Sequence, residues 1–286
     1  EIHERLVGSE MCIRDSGYTH QVLVRLKQTD HGILRNGIWA YTNERLCKDD
    51  LITVQIVENE CSDNISPVNL PLDIAYEDDD IIVINKPFDM PAHPSAGNHD
   101  NTLANALMYY YGSQNKPFVY RCINRLDRDT TGLTIVAKHA LAGGILGNAV
   151  AKRAIHRTYY AVCSGCTPAY MRISAPIARK DASTIERCVD FKRGENAVTD
   201  FIRIKYNPDN NLSLVKLRLL TGRTHQIRVH MKYIGFPLIG DFLYNPDYTY
   251  ISRQALHSGR LVFTHPVTGQ KMNLISDIPS DMKSLF

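Results

Sequence analysis

A chain of 286 residues with 44% hydrophobic content, ordinary for a globular protein, can hold one large domain plus a small one. No apolar run nears the roughly 20 residues that cross a bilayer, and no charged-then-apolar secretory leader is visible, so a cytoplasmic protein with no membrane contact is expected. The net charge of +3 excludes little, and seven cysteines, an odd number, predict reduced thiols in place of a disulfide framework.

Residues 1–16 have neither helical nor strand periodicity and read as a foreign or mis-translated leader, similar to translated sequencing-adapter read-through, outside the fold. Residues 17–58 form a compact unit. A short helix around Gln21 to Lys27 leads to a strand and an Asn36-Gly37 turn, and the alternation from Leu51 to Val57 predicts a further strand. This unit resembles, with a shortened front, the small helix-plus-hairpin RNA-binding module of ribosomal protein S-four. An accessory β-unit without RNA contact is the competing reading, since its cations are few. Residues 59–69, rich in Ser, Asp, Asn and Pro, read as a linker to a large domain over 70–286.

That domain opens with two strands between Leu72 and Pro87 around the acidic turn Glu77 to Asp80. Consecutive acids splay to opposite sides, so a solvated turn is expected and not a metal site. An amphipathic helix follows from Thr102 to Tyr111, with Leu103, Ala106, Leu107 and Tyr110 on one face. Next comes the stretch on which the chain is organised, residues 121–138. Leu133 to Lys138 is a buried strand entered through a turn at Thr130-Thr131-Gly132, which puts Asp127 at the mouth of a sheet. Between Arg125 and Arg128 its carboxylate is expected to stay ionised, fit to act as nucleophile or base. A carboxylate that merely caps the turn is the alternative, and the residues alone leave both open.

Residues 139–152 predict a helix despite three glycines, and 157–165 a strand ending at Gly165. Cys163 and Cys166 form one pair without further ligands, so no zinc or redox centre is expected. Interrupted strands with basic loops over 175–201 suggest an arm that grips RNA, or a solvated charged loop. Leu212 to Leu220 alternates as a strand, Thr221-Gly222 turns the chain, and a helix from Thr224 to Ile234 closes at Gly235. In it Ile227, Met231 and Ile234 share an apolar stripe, while Thr224, Arg228 and Lys232 share the opposite side, so Arg228 is expected to project from the core face. No Asp or Glu occurs over 212–240, which contains Lys216, Arg218, Arg223, Arg228 and Lys232, a basic surface suited to a polyanion. His225 and His230, five apart, are expected to make polar contacts and not to ligate a metal.

Asn124-Arg-Leu-Asp-Arg-Asp-Thr-Thr-Gly-Leu133 resembles the motif that carries the catalytic Asp in the RluA family of RNA pseudouridine synthases. Lys86-Pro87 with Met90, His93 and Pro94 is similar to its first motif, and Gly222-Arg-Thr-His-Gln-Ile-Arg-Val-His230 to its third, the most specific match. Gly240-Asp241, Leu256-His257 and Phe263 to Gly269 complete a pattern spanning most of 72–275. Asn124 stands where many members have His, and Thr131 where Ser is common; both keep hydrogen-bonding groups. The resemblance implies an α+β pseudouridine synthase fold, a largely antiparallel mixed central sheet with flanking helices and a central cleft. It implies Asp127 as the catalytic nucleophile, Tyr159 and Arg228 as its support, and Arg125 as the residue that fills the space of a flipped base. Arg128, Arg223 and Lys232 are further candidates for RNA contact. The reaction that the resemblance implies is an isomerisation of uridine to pseudouridine, for which no cofactor and no metal are expected. The expected partner is RNA, large-subunit ribosomal RNA ahead of transfer RNA, with the protein acting as a monomer. Two other classes compete: a silent RNA-binding ribosome-assembly factor, and a hydrolase pairing Asp127 with Asp129, which lacks an evident opposite wall.

Overall fold

Fifteen strands and five helices are found among residues 18, 20–41, 44, 46–55, 61–62, 64–95, 97–181 and 185–286, the parts of the chain that the computed structural model describes. The leader reading falls on residues 1–16 and lies outside them. None of the described helices is long and apolar enough to cross a membrane.

At the front, α1 (His20–Gln28) packs Val22, Leu23 and Leu26 on Ile33. That residue opens β1 (Ile33–Arg35), which pairs antiparallel with β2 (Ile38–Trp39) and β3 (Ile52–Val54). Asn36 and Gly37 take the positive φ that their turn demands. Of the strand expected from Leu51 to Val57, only 52–54 is a ladder, and residues 56–57 are outside the described part.

The large unit is built on one mixed sheet of ten strands. Its path runs β4 (Ile74–Glu77), β5 (Ile81–Lys86), β7 (Thr131–Ala137), β14 (Leu256–Thr264), β8 (His156–Ser164), β13 (Leu212–Leu219), β12 (Val198–Asn207), β9 (Tyr170–Ser174). β6 (Arg121–Cys122) adds to β7, and β15 (Lys271–Ile275) to β14. Every pairing is antiparallel except β7 with β14. β5 carries a continuous apolar run because both faces of the sheet are covered there. Ile81 and Val83 face α3 (Ala140–Ala151), while Ile82 and Ile84 face α2 (Leu103–Gly112).

α2 begins where sequence says it should, with Thr102 and Asn105 forming a reciprocal capping box. Asn105 Nδ2 also donates to Ser66 O, and Val68 N donates to Asn105 O, so the segment around 66–68 is laid against this helix. β10 (Ile177–Arg179) and β11 (Arg187–Val189) pair as a separate hairpin. α4 (Gln226–Tyr233) ends in a left-handed Gly235, with Phe236 N donating to Met231 O and Gly235 N to Lys232 O. α5 (Ser280–Lys283) closes the chain.

Two local expectations are corrected. Gly132 lies inside β7 and not in a turn ahead of it. Its φ of +106° and the absence of a Cβ let the Ser258 backbone come so close that a methyl group would sit 2.3 Å from Ser258 O. The acidic turn is solvated only at Asp79, the other three acids being half-buried and paired. Asp78 Oδ2 accepts from His265 Nε2 at 2.8 Å, Asp80 Oδ1 from His139 Nε2 at 2.8 Å, and Glu77 from Tyr110, Tyr111 and Lys138. Both histidines accept backbone N–H bonds at Nδ1, from Ala142 and from Val267 and Thr268. With Nδ1 accepting, Nε2 is the nitrogen that carries a proton toward the carboxylate, which makes this a hydrogen-bonded clasp.

Candidate active site

Three sheet strands converge on one cleft. The loop before β7 carries Asp127, β8 carries Tyr159, and the turn after β13 feeds α4, which carries Arg228. All three residues line a cavity of about 930 Å³ together with Arg125, Arg128, Arg223 and His225.

Lys86 holds the Asp127 loop from below. It is buried at the end of β5, and its ammonium donates to the carbonyls of Pro87, Met90 and Arg128 at 2.7–2.8 Å. Burial pushes its pKa down to about 7, against the pull of the Asp129 and Asp127 charges. Asn124 adds a second tie: its Nδ2 donates to Leu133 O and its Oδ1 accepts from Ile135 N, fixing the loop to β7.

Arg228 is the centre of the ion cluster. Its Nη1 donates to Asp127 Oδ2 at 2.8 Å, while Nε and Nη2 donate to the two oxygens of Asp241 at 2.7 and 2.8 Å. Its side chain is only 2% exposed, against 30% for Asp127. The expectation that Arg228 projects from the core face is thus corrected: α4 is buried on both sides, apolar on one and ionic on the other. Burial acts against the guanidinium charge, but the hydrogen bonds and charges of Asp241 and Asp127 outweigh it and raise the pKa. The ring of Tyr244 lies 5.0 Å from the guanidinium carbon and that of Phe242 5.4 Å, adding cation–π contacts.

The flanking arginines do not do what their sequence positions suggested. Arg128 turns to Asp129, with Nε and Nη2 at 3.0 and 2.9 Å from its two oxygens. The partner of Asp127 is therefore Arg228, 101 residues away. Asp129 spends both oxygens on Arg128 and offers no second carboxylate across the cleft. Among the described residues no carboxylate pairs with Arg125, which is exposed at the mouth and close enough to lower the pKa of His93 beyond the effect of burial. Arg223 lines the cleft but bonds Glu195 and Asn196 O. Lys232 is not among the lining residues; its ammonium lies 5.6 Å from the Tyr244 ring centroid.

Tyr159 is buried in the cluster formed with Leu126, Leu217, Ile227 and Leu256 and lines the same cavity as Asp127. His230 bonds Thr199 and Ala175 O, a satisfied core histidine. The six described cysteines are free thiols; Cys163 is buried, which raises its pKa, and Cys166 accepts from Arg203.

Asp241, quoted in the sequence pattern but given no role there, is the residue that backs Arg228. It is fully buried and also accepts the Leu243 and Tyr244 N–H groups at Oδ1. The one local signal is the preceding Gly240, at φ +68°, where a Cβ would meet Arg253 O at 2.1 Å. Taken together, the arrangement can hold one carboxylate oriented, with Oδ2 engaged and no bond to Oδ1 among the described residues.

Comparison with known proteins agrees with this geometry. The sequence pattern of the RNA pseudouridylate synthase family matches residues 80–233. The chain is 38% identical over 272 residues to the uncharacterized RNA pseudouridine synthase YjbO of Bacillus subtilis (strain 168), covering 94% of this chain and 95% of that protein. It is 41% identical over 245 residues to ribosomal large subunit pseudouridine synthase D of Haemophilus influenzae, covering 81% and 75%. Among solved structures, human RNA pseudouridylate synthase domain containing 1 superposes with a TM-score of 0.61 at 26% identity, over 72% of this chain and 83% of that one.

Proposed function

Since the chain belongs to the RNA pseudouridylate synthase family and is an RNA pseudouridine synthase, we propose that Asp127 is its reacting group and large-subunit ribosomal RNA its substrate. The observation that carries the first part is the bond between Asp127 Oδ2 and a buried arginine that Asp241 locks from behind. One charge-assisted bond keeps that carboxylate against the arginine, and no bond to its other oxygen is found among the described residues.

The isomerisation breaks the bond between uracil N1 and the anomeric carbon, turns the base, and joins C5 to the same carbon. The proton leaves C5, N1 gains one, and no outside atom enters. Attack by Asp127 on the base, attack on the anomeric carbon, and stabilisation of positive charge on the sugar all require the same thing, an ionised oxygen aimed at the nucleotide. Arg228 supplies that orientation through its forked, permanent charge. Tyr159 supplies the wall on which the uracil lies while it is detached. The target base leaves its stack to reach the cleft, and Arg125 at the mouth is the side chain that takes its place.

The choice of ribosomal RNA is supported by the similarity to large-subunit synthases and by the N-terminal helix and hairpin, which we read as an RNA-binding module over 17–58 joined through 59–69 to a catalytic unit over 70–286. The protein is proposed to act as a monomer. The deciding experiment is tritium release from 5-tritiated uridine in ribosomal and in transfer RNA, with Asp127→Asn alongside. Release from ribosomal RNA by the wild type alone is expected; equal release by both proteins refutes the role of Asp127, and release confined to transfer RNA refutes the substrate.

A further inference from the structure

His225 enters α4 with φ +56° and ψ +19°, the left-handed region, and its side chain makes no capping bond. For a residue with a Cβ that conformation costs on the order of 1 kcal/mol, and such outliers collect at working sites. The polar groups of the turn do not need the imidazole: Gln226 Oε1 takes the Thr221 hydroxyl and the Arg223 N–H. What the strained turn does is aim the ring into the ion cluster. Its Nδ1 lies 3.0 Å from the Tyr244 hydroxyl, and its Nε2 lies 3.8 Å from Asp127 Oδ2.

The tautomer follows from the partners. The Tyr244 hydroxyl oxygen accepts the Arg187 N–H at 2.9 Å, so the hydroxyl proton is available to His225 Nδ1. The neutral ring then carries its own proton on Nε2, the nitrogen that faces Asp127. Burial lowers the pKa of the ring, so it brings a donor to the carboxylate without a second full charge.

We propose that His225 is a positioning residue, an N–H donor that closes on Asp127 Oδ2 beside the Arg228 guanidinium and leaves Oδ1 alone to face the nucleotide. The inference rests on the reading of Asp127 as the reacting carboxylate. A carboxylate held through a single bond can still rotate about Cβ–Cγ and offer either oxygen. A second donor on the same oxygen stops that rotation. Closing a 3.8 Å separation to a hydrogen bond takes a shift of about 1 Å, and such contacts commonly tighten only once substrate is bound. Through Tyr244 and the Arg187 N–H, the same ring is tied to strand β11 of the separate hairpin.

The test is the single-turnover rate on 5-tritiated, in-vitro-transcribed large-subunit ribosomal RNA at saturating enzyme, with the Kd for that RNA measured by filter binding. His225→Gly accepts the left-handed turn and removes the ring. It is expected to slow the rate constant about 10- to 100-fold, the worth of one hydrogen bond to a charged group, with Kd within about twofold and partial recovery in added imidazole. Tyr244→Phe lets the proton move to Nδ1 and is expected to slow the reaction by a smaller factor that imidazole does not restore. If His225→Gly does not fold, His225→Asn, which tolerates the same backbone, carries the same measurement. A folded variant at full rate, or a loss that resides wholly in Kd, overturns the proposal. Activity in Asp127→Asn sinks the underlying reading as well, whereas an inert Asp127→Asn beside a fully active His225→Gly sinks this inference alone.

Discussion

Replacing Asp241 by Asn tests whether Arg228 is held from behind. The amide keeps the side chain's shape and can keep its oxygen at the Oδ1 position, where the Leu243 and Tyr244 N–H groups point. Its NH2 then replaces Oδ2 and confronts Arg228 Nε–H, now 2.7 Å from an acceptor, as donor against donor. One charge-assisted bond is lost and a fully buried arginine keeps one fewer counter-charge, which together cost about 3–5 kcal/mol. For 286 residues the unfolding entropy is about 0.6 kcal/mol/K, so Tm should fall by about 5–8 °C. Arg228 is then free to swing toward Asp127 and engage both of its oxygens, and the single-turnover rate should drop about 100-fold or more. Calorimetry and tritium release read the two effects on the same protein. Adding Arg228→Met removes the stranded charge, so the double variant should regain part of the lost stability while staying inactive. A Tm within about 1 °C and a rate within about threefold of wild type for Asp241→Asn would refute the reasoning.

Gly132→Ala should be among the most damaging single changes in the sheet, because φ is +106° and the new methyl would lie 2.3 Å from Ser258 O; a loss above about 3 kcal/mol in urea unfolding is expected, and a loss under about 1 kcal/mol would show that β7 and β14 can separate there. Lys86→Met strands the Met90 carbonyl, leaves Arg128 O with only the Met90 N–H at 3.3 Å, and should cost about 2–4 kcal/mol together with most of the activity, since the Asp127 loop loses its tether; a stable, active Lys86→Met would count against that tether. His257 titrates at about 4 in the fold against 6.5 unfolded, chiefly because it is buried. The unfolded chain therefore binds the proton first as pH falls, and stability should be lost between about pH 6.5 and 4, by about 3 kcal/mol in all. The urea midpoint of wild type should slope more steeply over that window than that of His257→Asn, and equal slopes would disprove the assignment.

Much of the scaffold was readable because it is written locally. The capping box at Thr102, the apolar run of β5 and the Gly235 stop of α4 each depend on residues within a few positions of one another. The motif around Asp127 was readable for the same reason, and so was the resemblance of the Arg228 segment. What failed were the statements about partners. Asp78 and Asp80 looked solvated because the histidines that bond them are 187 and 59 residues away. Arg128 looked like a neighbour for Asp127 because it adjoins it, yet its planar fork fits Asp129 with two parallel bonds. A helical wheel divided α4 into one apolar and one polar side and equated polar with exposed. That equation breaks where a charged side chain has buried counter-charges waiting, as Arg228 has in Asp241 and Asp127.

The same cluster explains why the chemistry needs two acids for one arginine. If Arg228 faced Asp127 alone, its full fork could close on both oxygens of that carboxylate, giving a stable pair with neither oxygen left to react. Asp241 takes the Nε–H and one Nη2–H, the paired edge of the fork, and a single Nη1–H bond reaches Asp127. Two carboxylates against one guanidinium also leave a net negative charge in the cluster, and the residue placed to carry it is Asp127, the only one of the three with substantial exposure to the cleft. A polyanion would not seek out such a floor unaided, and the exposed cation at the mouth with no carboxylate partner among the described residues is Arg125, the side chain proposed above to take the place of the flipped base.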